Sequence, residues 1–206
     1  MSARTKSKRM MIIGLTGSIG MGKSTAALIL QEMGFPIYSA DASVHALLKK
    51  GGRAVAPVAK LFPETLKRGG IDRKLLGQAV FGQPEKLRRL EKIVHPLIRA
   101  AERAFLQKAR KDKAAAAILE IPLLFETGAE DRCDLVFCVT APRAIQKQRV
   151  LSRPGMTEQR LRDILKRQMP DAQKRARADY VIPTGNGIAA TEKHLRKVLH
   201  GLSLLA

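Results

Sequence analysis

Gly17, Gly22, Lys23 and Ser24, within the stretch GLTGSIGMGKST, fit the pattern G-x-x-x-x-G-K-[ST] without a mismatch. These residue types at this spacing do phosphate chemistry. Glycines let a backbone turn tightly, so successive N–H groups can converge on phosphate oxygens. A helix that opens near Gly22 adds its positive N-terminal end. Lys23 then reaches the β- and γ-phosphates, the Ser24 hydroxyl suits Mg²⁺, and Thr25 helps secure the end of the loop. Nucleotide contacts are therefore expected at Gly17, Gly20, Met21, Gly22, Lys23, Ser24 and Thr25.

A second chemical candidate is one carboxylate, Asp41, within YSADASVH; the nearest other acids are Glu32 and Glu64. A carboxylate at the end of a strand can orient a hydroxyl and accept its proton. It can equally cap the helix that begins here. His45 lies four residues on, which places both side chains on one helix face. His45 is either an acceptor-facing group or a partly buried helix histidine. Glu120 ends an apolar run and can hold Mg²⁺ through water. From position 143 to 177 the chain has 11 Lys or Arg against three Asp or Glu. Arg149 and Arg153 are the first candidates there for a basic group that steadies a migrating phosphoryl, and most of the others read as a solvated face.

The elements that must hold these groups follow from the apolar pattern. Short apolar runs at Met11–Thr16, FPIYSA, residues 115–121, CDLVFCVTAP and ADYVIPTG read as five strands, and the segments between them read as helices. STAALILQEMG is a helix stopped by Gly34, Thr157 opens a later one, and GIAATEKHLRKVLHGL closes the chain. Strands alternating with helices imply an α/β fold, a five-stranded parallel sheet with helices on both faces. Residues 42–113 read as a helical insertion interrupted by KKGG, LFPE, KRGG and FGQP. Leu87, Leu90 and Val94 form an apolar stripe in it. Pro96 should start a new helix or kink the old one, with His95 as the cap. The expected division is a core of about 11–41, 114–142 and 178–206, with the insertion at 42–113 and a lid at 143–177. Residues 1–10 are expected to be a disordered basic leader.

Composition narrows the classes. The chain has 206 residues, a formal net charge of +20, 45% hydrophobic residues and no Trp. No apolar run is long enough to span a membrane. Cys133 and Cys138 read as small core residues and point to a reducing, cytoplasmic setting. The positive charge is compatible with nucleic acid, but no aromatic interleaving or recognisable nucleic-acid module accompanies it. A nucleotide or another small polyanion is the simpler partner. GTPase motifs N-K-x-D and D-x-x-G are missing from the sequence.

Taken together, GLTGSIGMGKST, YSADASVHALL, LEKIVHPLI, LEIPLLFETG, QKQRVLSRPGMTEQRLRDILKRQM and ADYVIPTGNG resemble the dephospho-CoA kinase family, in its order and spacing from about Met11 to Leu202. The resemblance implies a P-loop kinase fold and transfer of the ATP γ-phosphoryl to the ribose 3′-hydroxyl of dephospho-CoA, with Mg²⁺. It favours Asp41 as the catalytic acid, beside Lys23 and Arg149. It implies acceptor contacts from His45, His95, Pro122, Leu123, Leu124 and Glu126, the apolar three forming a wall for pantetheine or adenine. Arg153 joins the nucleotide contacts, and Ser24 and Glu120 the metal. The TGNG turn, Thr184 to Gly187, either contacts adenine through its backbone or is a plain turn. Two departures stand out: Ser39 occupies the place of a frequent first acid, and Glu120 that of an Asp. The alternatives are a kinase for another small hydroxyl or nucleotide acceptor and, more remotely, a nucleic-acid-binding P-loop ATPase. A monomer or weak homo-oligomer, with no nucleic-acid or membrane partner, is expected.

Overall fold

The computed structural model describes residues 9–205. The expected leader falls mainly on residues 1–8, outside the described range. Of its last two positions, Met10 is buried and Arg9 is exposed near Asp134.

The described residues divide into two compact units, one of residues up to 38 and from 109 onward, the other of residues 39–108. The first unit is built on β1 (Met11–Thr16), followed by α1 (Lys23–Glu32) and β2 (Ile37–Ser39), whose last residue belongs to the second unit. Gly34 ends the α1 turn at φ 91°, a conformation that costs glycine little. The second unit holds α2 (Ala40–Leu48), α3 (Val55–Leu61), the hairpin strands β3 (Leu66–Lys67) and β4 (Gly70–Ile71), α4 (Arg73–Val80) and most of α5 (Pro84–Lys111). The chain then returns to the first unit with β5 (Ala116–Glu120), β6 (Leu135–Thr140), α6 (Arg143–Leu151), α7 (Glu158–Lys166), α8 (Asp171–Arg177), β7 (Tyr180–Pro183) and α9 (Ile188–Gly201).

The sheet order is β2-β5-β1-β6-β7, with parallel pairing of β1 to β5, β1 to β6 and β6 to β7. All five strands predicted from apolar runs are present. β1, in the centre, is covered on both faces: Ile13 and Leu15 on one are fully buried with Ile118, Phe137, Val139 and Ile182 from its neighbours, and Ile12 and Thr16 on the other are buried as well. The sheet's start is pinned by Asp134, whose carboxylate accepts from the Ile12 N–H at 2.7 Å. Cys138 lies in the β6 core, whereas Cys133 falls just before that strand and is only half-buried.

The second unit corrects three expectations. KRGG is the turn of a hairpin, not a break between helices: Arg68 and Gly69 have φ 49° and 80°, the left-handed pair that a tight two-residue turn demands. Pro96 lies inside a single 28-residue helix, α5, so no helix starts there and His95 caps nothing. The proline removes one N–H, but Ile93, Val94, Leu97 and Ile98 on both sides of it pack into one apolar cluster, and this packing carries the helix through. The stripe is also shorter than expected, since Leu87 is 41% exposed while Leu90 and Val94 turn inward.

Candidate functional site

The phosphate loop connects β1 to α1. Gly20 and Gly22 have φ 77° and 82°, where a side chain would be strained. Space also forbids one: a Cβ on Gly20 would lie 2.6 Å from Val150 Cγ2, and one on Gly22 would lie 2.8 Å from Thr184 Oγ1. Gly22 is the N-cap of α1 and no side chain caps that helix, so its first-turn N–H groups remain available to an anion. Lys23 donates its ammonium to Glu120 Oε1 at 2.6 Å, the two side chains being 14% and 10% exposed. Glu120 thus occupies the end of β5 beside the loop, as its position in the sequence suggests, and holds the lysine there. Ser24 is exposed on the first turn of α1.

The remaining predicted residues of this unit fall into different roles. Arg149, on α6, donates through Nη1 to Thr184 Oγ1 at 3.1 Å and through Nη2 to Thr184 O at 2.7 Å. Thr184 Oγ1 in turn donates to Met21 O at 2.8 Å. Arg149 therefore braces the phosphate loop through Thr184. Arg153 is exposed, just beyond the end of α6. Leu124 departs from its expected place in an apolar wall: it is fully buried, and a Cβ on Gly14 would come within 2.7 Å of it, so it packs the core under β1. Leu123 is 40% exposed, and Pro122 is half-buried with its carbonyl accepting from Thr16 Oγ1 and Lys174 Nζ. Glu126 is bound to the protein rather than open to a ligand: Oε1 accepts from Met169 N at 2.7 Å and from Lys174 Nζ at 2.8 Å.

The TGNG turn contributes to a cavity of about 540 Å³, lined by Met21, Pro142, Gln146, Asp171, Gly185 and Asn186 among others. It adjoins the phosphate loop through Met21 and offers backbone and side-chain polar groups to a flat heterocycle.

In the second unit, Ser39 is the N-cap of α2, accepting from Ala42 N at 3.4 Å. This separates the two roles that the sequence left open for Asp41. The cap belongs to Ser39. Asp41 stands exposed in the first helical turn, and among the described residues no hydrogen bond or ion pair holds its carboxylate. His45 is exposed one turn further along the same helix. His95 lines a separate apolar cavity of about 300 Å³, with Val44, Leu48, Leu76 and Val94 in its wall and Arg73 at its polar part.

Comparison with known proteins identifies the family. The sequence model of the dephospho-CoA kinase family matches residues 11–190. The chain is 50% identical over 194 residues to the dephospho-CoA kinase of Brucella melitensis, covering 94% of this chain and 96% of that one. It is 58% identical over 166 residues to the enzyme of the same name from Paramagnetospirillum magneticum, covering 81% and 78% of the two chains. This chain belongs to the dephospho-CoA kinase family. Among solved structures, the dephospho-CoA kinase of Campylobacter jejuni superposes with a TM-score of 0.71 at 31% identity, over 93% of this chain and 96% of that one. A solved protein from Thermus thermophilus reaches 0.82 at 34% identity, over 97% and 100%.

Four residues of this dephospho-CoA kinase family member were missed by sequence reasoning and stand out in the structure. Lys174 is fully buried, Asp171 lines the larger cavity, and Gln146 and Gln168 both bond to the phosphate loop. Gln146 and Arg149 lie three apart in QKQR, a spacing that puts both on one face of α6. Asp171 pairs with Arg175 one helical turn on, also a local spacing. Lys174 and Gln168 carry no local signal, because their partners Pro122 and Ile19 are 52 and 149 residues away. Among the described residues, no helix is long and apolar enough to cross a membrane.

Proposed function

We propose that the chain phosphorylates the ribose 3′-hydroxyl of dephospho-CoA at the expense of ATP, giving coenzyme A and ADP. The observation that carries this reading is the family match over residues 11–190, which spans both the phosphate loop and the segment with Asp41. ATP lays its phosphates on Gly20 to Thr25 and its base in the cavity beside TGNG. Lys23 leaves Glu120 for the β- and γ-oxygens, which gives it a more complete set of charged partners during transfer. Asp41, which the cap on Ser39 leaves unengaged, orients the acceptor hydroxyl and takes its proton. The apolar cavity beside His95 takes the acceptor's pantetheine arm, and His45 lies on the Asp41 helix to meet its polar part. Arg153 is the exposed guanidinium that meets the migrating phosphoryl, since Arg149 already holds Thr184.

The donors available suit Mg²⁺. The Ser24 hydroxyl and the Glu120 carboxylate are hard oxygen donors at the phosphate loop and would hold the ion together with the nucleotide. Among the described residues no cluster of three His, Cys, Asp or Glu exists, and a nucleotide-borne Mg²⁺ requires none. When bound, the ion would offset phosphate charge. The setting is the cytoplasm, where ATP and the acceptor are both found in reduced surroundings, consistent with two free thiols.

An acceptor screen tests the assignment: dephospho-CoA, AMP, CMP and shikimate are supplied with Mg·ATP and ADP release is followed. Turnover with dephospho-CoA alone is expected; turnover of another acceptor with none of dephospho-CoA refutes it. In the same assay Asp41→Asn should keep ADP affinity and lose about two to four decades of turnover, the usual worth of a general base. Near-normal turnover would remove Asp41 from the chemistry.

A further inference from the structure

We propose that Gln146 and Gln168 are positioning residues for the nucleotide phosphates, acting by gripping both backbone groups of Ile19 in the phosphate loop. Gln146 Nε2 donates to Ile19 O at 2.8 Å, and Ile19 N donates to Gln168 Oε1 at 3.1 Å. The amide orientations are fixed by their partners, because a carbonyl only accepts and an N–H only donates. Gln146 is 5% exposed, and α6 lies close enough that a Cβ on Gly20 would meet the Gln146 carbonyl at 3.1 Å.

The consequence follows from the planar trans peptide, in which a carbonyl and the next N–H point in opposite directions. Tying down Ile19 C=O therefore sets the direction of the Gly20 N–H. Thr184 does the same two residues later: its hydroxyl on Met21 O sets the Gly22 N–H. Ile19 O and Met21 O are thus held by α6 and the turn after β7, which turns the Gly20 and Gly22 N–H groups the other way; the Ile19 and Met21 N–H groups are already taken, by Gln168 and by Ser18 O. Such donors need no reorganisation when phosphate arrives, which is where affinity is gained. Glycine-rich loops are otherwise free to adopt many conformations. Gln168, between α7 and α8, adds a grip from the second half of the basic segment, so α6 and the α7–α8 connection both set one residue of the loop.

The inference rests on the nucleotide reading above, and the experiment separates the two. Mg·ADP binding is measured by calorimetry on the full chain, together with KM for ATP, KM for dephospho-CoA and Tm. Gln146→Glu replaces the donor by an oxygen facing Ile19 O at nearly constant volume. Gln168→Ala removes the acceptor at a half-buried site. Each should weaken ADP about two- to tenfold, the worth of one hydrogen bond, and raise KM for ATP alike, with KM for dephospho-CoA unchanged. Hydrogen exchange at the Ile19 amide, without nucleotide, should quicken in Gln168→Ala and stay slow in Gln168→Glu, which keeps an acceptor. Wild-type ADP affinity in both variants overturns the inference. So does a loss in which ADP affinity and Tm fall while both KM values rise together, as a general folding defect would produce. Failure of the wild-type chain to bind Mg·ADP overturns the nucleotide reading itself.

Discussion

Lys174 is fully buried, yet it is a lysine, and its removal should be among the costliest single changes in the protein. It sits on α8 and its ammonium donates to Glu126 Oε1 at 2.8 Å and to Pro122 O at 3.1 Å. Glu126 is 16% exposed at its side chain, and its other oxygen, Oε2, is buried without a partner among the described residues. Lys174→Met keeps most of the aliphatic stem and deletes only the charge. Glu126 would then retain one donor, the Met169 N–H, for a carboxylate that is out of water. Breaking a buried pair from one side costs about 3–5 kcal/mol, because the remaining charge is uncompensated. For a chain of this size each kcal/mol lowers Tm by about 2–4 °C, so the fall should be about 6–20 °C. Urea unfolding followed by tyrosine fluorescence is a suitable assay. The protein has no Trp, and its two tyrosines, Tyr38 and Tyr180, both lie in the unit that contains Lys174. The partner substitution supplies the control. Glu126→Gln keeps the acceptor for Met169 N and removes the charge, so Lys174→Met with Glu126→Gln should recover most of the loss and show strong coupling. A loss below about 1 kcal/mol for Lys174→Met, or additive effects in the double variant, would refute the reasoning.

Gly22→Ala should reduce nucleotide affinity and lower Tm together, since φ 82° is strained for alanine by about 1–2 kcal/mol and its Cβ would displace Thr184. Gly34→Ala is the matched control: its φ is 91° with open space around it, so Tm should fall while ADP affinity by calorimetry stays unchanged. Burial, with a smaller push from the Asp171 charge, raises the Cys138 thiol from its ordinary 9.0 to about 11, against the opposing pull of Lys174 and Arg175. The unfolded thiol ionises first as pH rises, so stability present below pH 9.0 is lost up to about pH 11, roughly 3 kcal/mol in all. Denaturant midpoints of wild type and Cys138→Ala across that window check this; the wild type should lose more, and parallel curves would rule out the thiol.

What could be read in the sequence follows the range of the interactions. β1, the phosphate loop and α1 were legible because their signals are local: an apolar run, glycines at fixed offsets and a helix start within a few residues. The five strands were legible for the same reason, each being a short apolar run, and the three central ones, β5, β1 and β6, are buried on both faces. The Leu66–Ile71 hairpin was missed because KRGG reads equally as a break between helices. Of the two readings of Pro96, a helix start fails, and the apolar cluster on both sides of it explains why α5 continues.

At the site, the sequence by itself determined which groups could do chemistry: a lysine on a glycine loop, one isolated carboxylate, a Glu at a strand end. The tertiary structure decided what each group is attached to. Ser39 took the helix cap and left the Asp41 carboxylate unengaged, a choice between two oxygens two residues apart that propensity does not resolve. Leu124 went into the core, Glu126 went to Lys174, and Arg149 went to Thr184. Each outcome depends on which distant surfaces folding brings within about 3 Å, and hydrogen bonds fall off too steeply with distance for spacing along the chain to specify them.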